Sequence, residues 1–208
     1  IDVGGKPALM ALNETSQKLY VSRMMVMGMG MGMGMGSKTI HEIDYSDPTN
    51  MSVYPYAVSA EAPHAISINS DGSEIYTASN SADWLYKIIP GITDEPYGVV
   101  MDVLYDNNPE TNVNRLSPIQ CISVDDSLLF VSCQGGRWQH VQTGEEDLMP
   151  GQVQLWNTNS MSLDTTIQFS WTSSPWHITK SSIKDEVFVA LSGSESANDP
   201  ENSSVACL

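Results

Sequence analysis

PHAISINSDGSEIYTA, residues 63–78, contains a proline, a short apolar strand, a polar turn and a second apolar strand. The segment PALMALNETSQKLYVS, residues 7–22, aligns with it without a gap. PIQCISVDDSLLFVS, residues 118–132, aligns after one deletion in the turn, and PWHITKSSIKDEVFVA, residues 175–190, needs none. The leading prolines are 56, 55 and 57 residues apart, so the sequence predicts four copies of one structural unit.

Each copy predicts a β-hairpin. Polar clusters such as Asn69 to Gly72 are typical of turns, and runs of consecutive apolar residues such as Leu128 to Val131 are typical of strands covered on both faces. Residues 151–169 predict two further strands, because Val153 and Leu155 alternate with polar residues before a turn and a final strand. No segment has the periodicity of a helix.

Four antiparallel strands per repeat predict an all-β protein, a β-propeller of four-stranded antiparallel blades. The predicted blades span residues 4–60, 61–115, 116–172 and 173–208, so this chain holds about four of them. Residues 1–3 occupy the place of a fourth strand and could complete the last blade.

The repeat resembles the YVTN-repeat propellers. The closest match is carried by residues 17–22, 72–78 and 151–167, where a turn precedes a Leu-Tyr-Val-Ser-like strand and a Val-x-Val-Ile-Asp-Thr-like strand follows. That family is related to the propeller domains of nitrous oxide reductase and of the haem-containing nitrite reductases. The resemblance implies that these blades belong to a larger ring of about seven.

The chain is strongly acidic. It has 25 acidic and 9 basic side chains among 208 residues, a formal net charge of −16. A nucleic-acid partner is excluded by this balance, because phosphate neutralisation requires a cationic face. No apolar run reaches the roughly 18 residues needed to span a membrane.

A methionine–glycine tract between the second and third strands of the first blade is the most unusual segment. Met27, Met29, Met31, Met33 and Met35 alternate with glycine, and thioethers are soft ligands that select Cu(I). A long hairpin with a packed methionine stripe, or a low-complexity expansion, explains the same pattern without a metal.

The first strand of each predicted blade lines the central channel. Just after the prolines these strands carry Met10, His64, Cys121 and His177, which are residue types that copper accepts. In nitrous oxide reductase, histidines from several blades converge on a copper cluster. His64 is one residue after its proline and His177 is two after, so a structural hydrogen bond is the alternative role for each histidine.

Two long loops, 23–37 and 134–151, are predicted to open on the same face as the channel mouth. Arg137, Trp138 and His140 in the second loop, together with Trp176, are the predicted contact residues, because aromatic and arginine side chains dominate binding surfaces. The acidic loops 102–110 and 194–201 offer oxygen ligands for Ca²⁺ but lack the spacing of a defined calcium loop. No nucleophile elbow or phosphate loop is present, so no catalytic residue is predicted.

Three cysteines allow at most one intrachain disulfide, and Cys121 and Cys133 are the candidates on adjacent strands. The triplets that begin at Asn13, Asn50 and Asn202 fit the acceptor pattern for N-glycosylation.

These features favour an extracytoplasmic, non-catalytic binding or scaffold module whose partner is a protein or a surface polymer. One alternative is a copper-binding protein or a redox protein with an electron-transfer partner, using the tract and the channel residues. A second alternative is a structural subunit of a surface layer or filament.

Overall fold

The computed structural model describes residues 1–3, 6–24, 39–57, 63–79, 83–91, 97–100, 116–139, 146–193 and 203–208. These residues form β-strands, turns and extended segments, and none of them is helical, which confirms the all-β prediction. Within this part of the chain no helix is long and apolar enough to cross a membrane. The methionine–glycine tract, His140 and both acidic loops lie outside the described residues.

Four antiparallel sheets follow one another along the chain, as expected for propeller blades. The first sheet contains β1 (Lys6–Asn13), β2 (Lys18–Met24), β3 (Thr39–Asp44) and β4 (Ser52–Ala57), hydrogen-bonded in that order. The second contains β5 (Pro63–Ile68), β6 (Ile75–Ser79), β7 (Trp84–Ile88) and β8 (Tyr97–Val100), also in that order.

The third and fourth sheets repeat this arrangement with one insertion. The third sheet consists of β9 (Pro118–Asp125), β10 (Leu128–Cys133), β13 (Gln152–Asn157) and β14 (Ser162–Gln168). A separate two-stranded ribbon, β11 (Gly136–Gln139) and β12 (Glu146–Met149), is inserted between β10 and β13. The fourth sheet has three described strands, β15 (Pro175–Lys180), β16 (Val187–Ser192) and β17 (Ser203–Cys207).

The hairpin turns form where the polar clusters lie. In the first turn the Asn13 side-chain oxygen accepts a hydrogen bond from the Ser16 N–H at 3.0 Å. In the third, the Asp125 carboxylate accepts one from the Ser127 N–H at 2.8 Å. Short polar side chains stabilise such turns because they bind the backbone two or three residues further on.

Three apolar cores lie between successive sheets. Tyr20 and Ile40 of the first sheet pack with Ile75 and Tyr86 of the second. The other face of the second sheet packs on the third through a second cluster, and the third packs on the fourth through Phe130 and Ile178 in a third cluster. Each inner sheet is therefore buried on both faces, as the consecutive apolar residues predict.

In the first three sheets one face packs against the sheet that follows, and in the fourth sheet the corresponding face is exposed. Ala190 is exposed, whereas Ser22, Ala78 and Ser132, which occupy the same repeat position, have no exposed surface. Val205 on the neighbouring strand is 68% exposed. Residues 1–3 belong to no strand, so their predicted pairing with the last sheet is not formed here, and the number of blades in a complete ring stays a prediction.

Candidate functional site

One edge of the four sheets carries the start of every repeat. In each sheet the leading proline of the first strand pairs with the end of the second strand: Pro7 with Arg23, Pro63 with Ser79, Pro118 with Cys133 and Pro175 with Leu191. The connections that leave those second strands, including the methionine–glycine tract and the ribbon, therefore depart from this edge. We call it the proline face.

A register shift follows each of these four prolines, and in the last three sheets it leaves out a single residue. The strand register shifts so that His64, Ile119 and Trp176, each directly after its proline, have no partner on the neighbouring strand. A bulged residue is left out of the ladder, so its backbone groups are free to bind elsewhere. The bulges place one unpaired carbonyl at the same position in three successive sheets.

All three bulge carbonyls accept hydrogen bonds from the preceding sheet. The Ser22 hydroxyl lies 2.5 Å from the His64 oxygen, and the Ser132 hydroxyl lies 3.4 Å from the Trp176 oxygen. Between the second and third sheets the equivalent residue is Ala78, which has no hydroxyl, and the His64 Nδ1 lies 2.7 Å from the Ile119 oxygen instead. We call these contacts the bulge bonds. They connect each sheet to the next near the proline face.

His64 is therefore oriented by the third sheet. A carbonyl can only accept, so Nδ1 carries the proton and, in the neutral ring, Nε2 keeps its lone pair. Burial lowers the pKa of His64, and the bond to Ile119 opposes that effect. The neutral tautomer with a free Nε2 is the form that binds metals.

The remaining predicted channel residues lie in different surroundings. Cys121 has no exposed surface and its thiol lies 3.6 Å from the Tyr76 oxygen, so it packs between the second and third sheets rather than lining the channel. Met10 is 67% exposed and His177 is exposed. No group of three or more His, Cys, Asp and Glu side chains that could hold a metal occurs among the described residues.

All three cysteines are free. Cys121 and Cys133 are buried, and burial raises the pKa of both thiols, with the Asp83 charge adding to the effect at Cys133. Cys207 is exposed on the last strand. The disulfide considered for Cys121 and Cys133 is not formed.

Trp176 lies on the proline face with its indole 49% exposed. Its backbone oxygen is held by Ser132, and the preceding Pro175 packs closely against Gly151, where a Cβ would lie 2.3 Å from the proline Cδ. The exposed indole therefore projects from a fixed backbone next to the base of the ribbon.

The ribbon carries the other predicted contact residues. Backbone pairing places Arg137 opposite Leu148 and Trp138 opposite Asp147. Leu148 is 48% exposed, whereas Met149 at the ribbon's base is buried. The ribbon thus adds an exposed apolar side chain to the face that presents Trp176.

The two strands that flank the methionine–glycine tract hold a polar cluster that sequence reasoning missed. The Arg23 guanidinium donates from Nη1 to the Thr39 hydroxyl at 2.9 Å and lies 3.4 Å from His41 Nε2. Burial lowers the pKa of His41, and the nearby Arg23 charge lowers it further. This cluster links β2 to β3, the two strands between which the tract lies in the sequence.

The serines of the bulge bonds were also missed, although the sequence contains a signal for them. Ser22 and Ser132 end equivalent strands within apolar runs, where a buried hydroxyl needs a partner. Only the bulge reveals which carbonyl that partner is.

Comparison with known proteins supports the fold and leaves the family open. No protein-family model matches the chain, and no curated protein matches it. Among solved structures, it is similar to Kuenenia stuttgartiensis hydrazine synthase, with a TM-score of 0.68 and 14% identity over 100% of this chain and 47% of that one.

Two further structures share the fold at low identity. One, from a nidogen/laminin complex, has a TM-score of 0.61 and 9% identity over 97% of this chain and 60% of that chain. The other, from a mitotic checkpoint complex, has a TM-score of 0.55 and 12% identity over 88% of this chain and 44% of that chain. This chain therefore spans about half the length of the structures it resembles. The propeller-like fold is shown, and the YVTN family stays a prediction.

Proposed function

We propose that this protein is a non-catalytic, extracytoplasmic binding module that contacts a protein or a surface polymer through its proline face. The observation that carries the proposal is Trp176, an indole that is 49% exposed on a backbone fixed by Ser132 and Pro175. Tryptophan is enriched at binding hot spots because its large aromatic side chain buries much apolar surface on binding.

The surroundings of Trp176 support a macromolecular partner. The ribbon begins beside it and exposes Leu148, and loops on a rigid scaffold are where binding residues concentrate. Both solved complexes with the same fold contain other proteins, which is the state proposed here. The net charge of −16 favours a partner that is neutral or basic.

The matched pair Trp176→Ala and Ile183→Ala tests this proposal. The hydrogen bond to Ser132 uses the backbone oxygen of Trp176, so the alanine variant removes the indole and keeps the bulge bond. Ile183 is 88% exposed in the turn between β15 and β16, at the opposite edge, and controls for the loss of any exposed apolar side chain.

Each protein is immobilised and incubated with the extracytoplasmic fraction of the source organism, and retained material is quantified by mass spectrometry and sugar analysis. We expect at least one partner retained by the wild type and Ile183→Ala to fall about tenfold with Trp176→Ala, the effect of losing about 1.4 kcal/mol. Equal retention by all three proteins would overturn the choice of face.

A copper-binding function is the second candidate, and one contact favours it. His64 donates from Nδ1 to a backbone carbonyl, which is how metal-ligating histidines are usually oriented, and its Nε2 keeps a lone pair. The methionines at 27, 29, 31, 33 and 35 would supply soft ligands from the same edge of the first sheet.

Metal analysis separates the two candidates. The copper hypothesis expects stoichiometric Cu(I) in the purified protein, lost when the five tract methionines are changed to leucine and weakened in His64→Ala. Unchanged metal content in the leucine variant would remove the hypothesis, whereas the Trp176 experiment is unaffected by either result.

A further inference from the structure

Two sequence triplets with the same chemistry lie in very different surroundings. Asn13-Glu14-Thr15 and Asn50-Met51-Ser52 both place a hydroxyl two residues after an asparagine, as N-glycosylation requires. The modification adds a bulky oligosaccharide to the asparagine Nδ2, so this atom needs open space around it. The third triplet begins at Asn202, outside the described residues.

Asn13 is held at both ends of its amide. Its Oδ1 accepts a hydrogen bond from the Ser16 N–H at 3.0 Å, which stabilises the first hairpin turn. Its Nδ2 faces Gly72 in the turn of the second sheet so closely that a Cβ on that glycine would lie 1.7 Å away. A sugar on this nitrogen would occupy the space that the neighbouring turn fills.

Asn50 lies in an open turn. Residues 46–51 between β3 and β4 are all exposed, and so is Ser52, the first residue of β4, which carries the hydroxyl. The turn is held by Asp47, whose carboxylate accepts from the Thr49 N–H at 2.9 Å and whose backbone oxygen accepts from the Asn50 N–H at 3.0 Å. These bonds use only the backbone of Asn50, so the side chain can be modified without loss of the turn.

We infer that Asn50 is an acceptor site for an N-linked oligosaccharide and that Asn13 is not. The inference rests on the proposed extracytoplasmic location, because the transfer takes place on exported chains. In the transfer, a bond forms between Asn50 Nδ2 and C1 of the sugar, and the bond between C1 and the phosphate oxygen of a lipid-pyrophosphate donor breaks. Nδ2 loses one proton, and the lipid pyrophosphate leaves.

The position of Asn50 is compatible with binding at the proline face. β3 starts at the proline face and ends at the opposite edge, so the turn from β3 to β4 lies away from Trp176 and the ribbon. An oligosaccharide there would cover Met51, a side chain that is 43% exposed, and would leave the proposed contact surface free. The structure thus assigns the modification to the non-binding edge of the first sheet.

The test is site-resolved glycan mapping of the full chain, secreted from a eukaryotic cell line behind a cleavable signal sequence. Asn202→Gln is introduced in every variant so that only the two described triplets are read. Peptides are analysed by mass spectrometry before and after peptide N-glycosidase treatment, which converts a glycosylated asparagine to aspartate.

We expect an occupied Asn50 and an unmodified Asn13 in the folded, secreted protein. Asn50→Gln and Ser52→Ala should each abolish the glycan, whereas Asn13→Gln and Thr15→Ala should leave it unchanged. An unmodified Asn50 in cells that glycosylate a co-secreted control protein, or a glycan on Asn13, would overturn the inference. The Trp176 experiment uses unglycosylated protein, so failure of one proposal is distinguishable from failure of the other.

Discussion

His64→Ala tests whether the bulge bonds hold neighbouring sheets together. The substitution removes the 2.7 Å bond from His64 Nδ1 to the Ile119 oxygen, which lies on a residue that is only 4% exposed. Loss of a hydrogen bond that leaves a buried acceptor unpaired costs about 1–3 kcal/mol. Taking about 2 kcal/mol, a domain of this size should lose roughly 4–8 °C in melting temperature.

Urea unfolding followed by circular dichroism measures this cost, with His177→Ala as the matched control. His177 is exposed, so its replacement should change stability by no more than about 0.5 kcal/mol. The reasoning is refuted if the two alanine variants are equally stable, since the bond to Ile119 would then contribute nothing beyond a surface histidine.

A rescue variant separates the bond from the packing of the ring. Ala78 occupies the position at which Ser22 and Ser132 supply hydroxyls, so Ala78→Ser should restore about 1 kcal/mol in the His64→Ala background. In the wild type the Ile119 carbonyl already has its donor, and the same substitution should give no gain. A double variant less stable than His64→Ala would contradict the equivalence of the three junctions.

Three further predictions rest on local geometry. Gly72→Ala and Gly91→Ala both force alanine to a φ of +76°, but of these two glycines only Gly72 has a neighbour within 4 Å. Thermal unfolding should therefore show that Gly72→Ala lowers the free energy of unfolding by at least about 1 kcal/mol more than Gly91→Ala. Maleimide should label Cys207 in the native protein and the two buried cysteines only after denaturation, which mass spectrometry of timed samples will show; rapid native labelling of all three would contradict the packing. The pKa of His64 in the folded protein lies below its unfolded value of about 6.5, so the free energy of unfolding should fall as the pH decreases below about 6.5. Urea unfolding of the wild type and His64→Ala at pH 8 and pH 5.5 measures this, and the fall should be smaller in the variant.

The sequence predicted the sheets because their signals are local. A proline, a turn cluster and an apolar run recur at a nearly constant spacing, and consecutive apolar residues require cover on both faces. The confirmed all-β propeller fold follows from these repeated patterns. The resemblance to YVTN propellers added a family that no comparison confirms.

Two charge pairs show what repeats do not predict. In the first sheet Lys18 on β2 bonds to Glu42 on β3 at 2.5 Å. In the second sheet the charges are exchanged, with Glu74, the residue before β6, bonded to Lys87 on β7. Either order pairs both charges, and the third sheet has Leu128 and Leu155 at the corresponding positions, so the repeat does not determine which side chains meet there.

The candidate site was harder to predict because it depends on a bulge. His64, directly after its proline, contacts the third sheet. Gln120, one residue later in its own repeat, accepts a hydrogen bond from the Ile178 N–H of the fourth sheet, whereas His177 at the same repeat position is exposed because no sheet follows its own among the described residues. Cys121, one residue further along its strand than the position of His177, faces the second sheet instead of the channel. Sequence spacing identifies the strand, and the register shift decides where each side chain goes.

The sequence by itself determined the repeat, its strands and turns, and a net charge of −16, because all of these are properties of neighbouring residues or of sums over the chain. Only the tertiary structure decided the roles of individual residues. Ser22 and His64 donate equivalent bulge bonds from different positions of the repeat. Asn13 and Asn50 each begin a triplet of the same pattern, but only the Asn13 side chain lies against a neighbouring turn. Those distinctions arise from the approach of sheets that lie some 56 residues apart in sequence, and no local pattern encodes that approach.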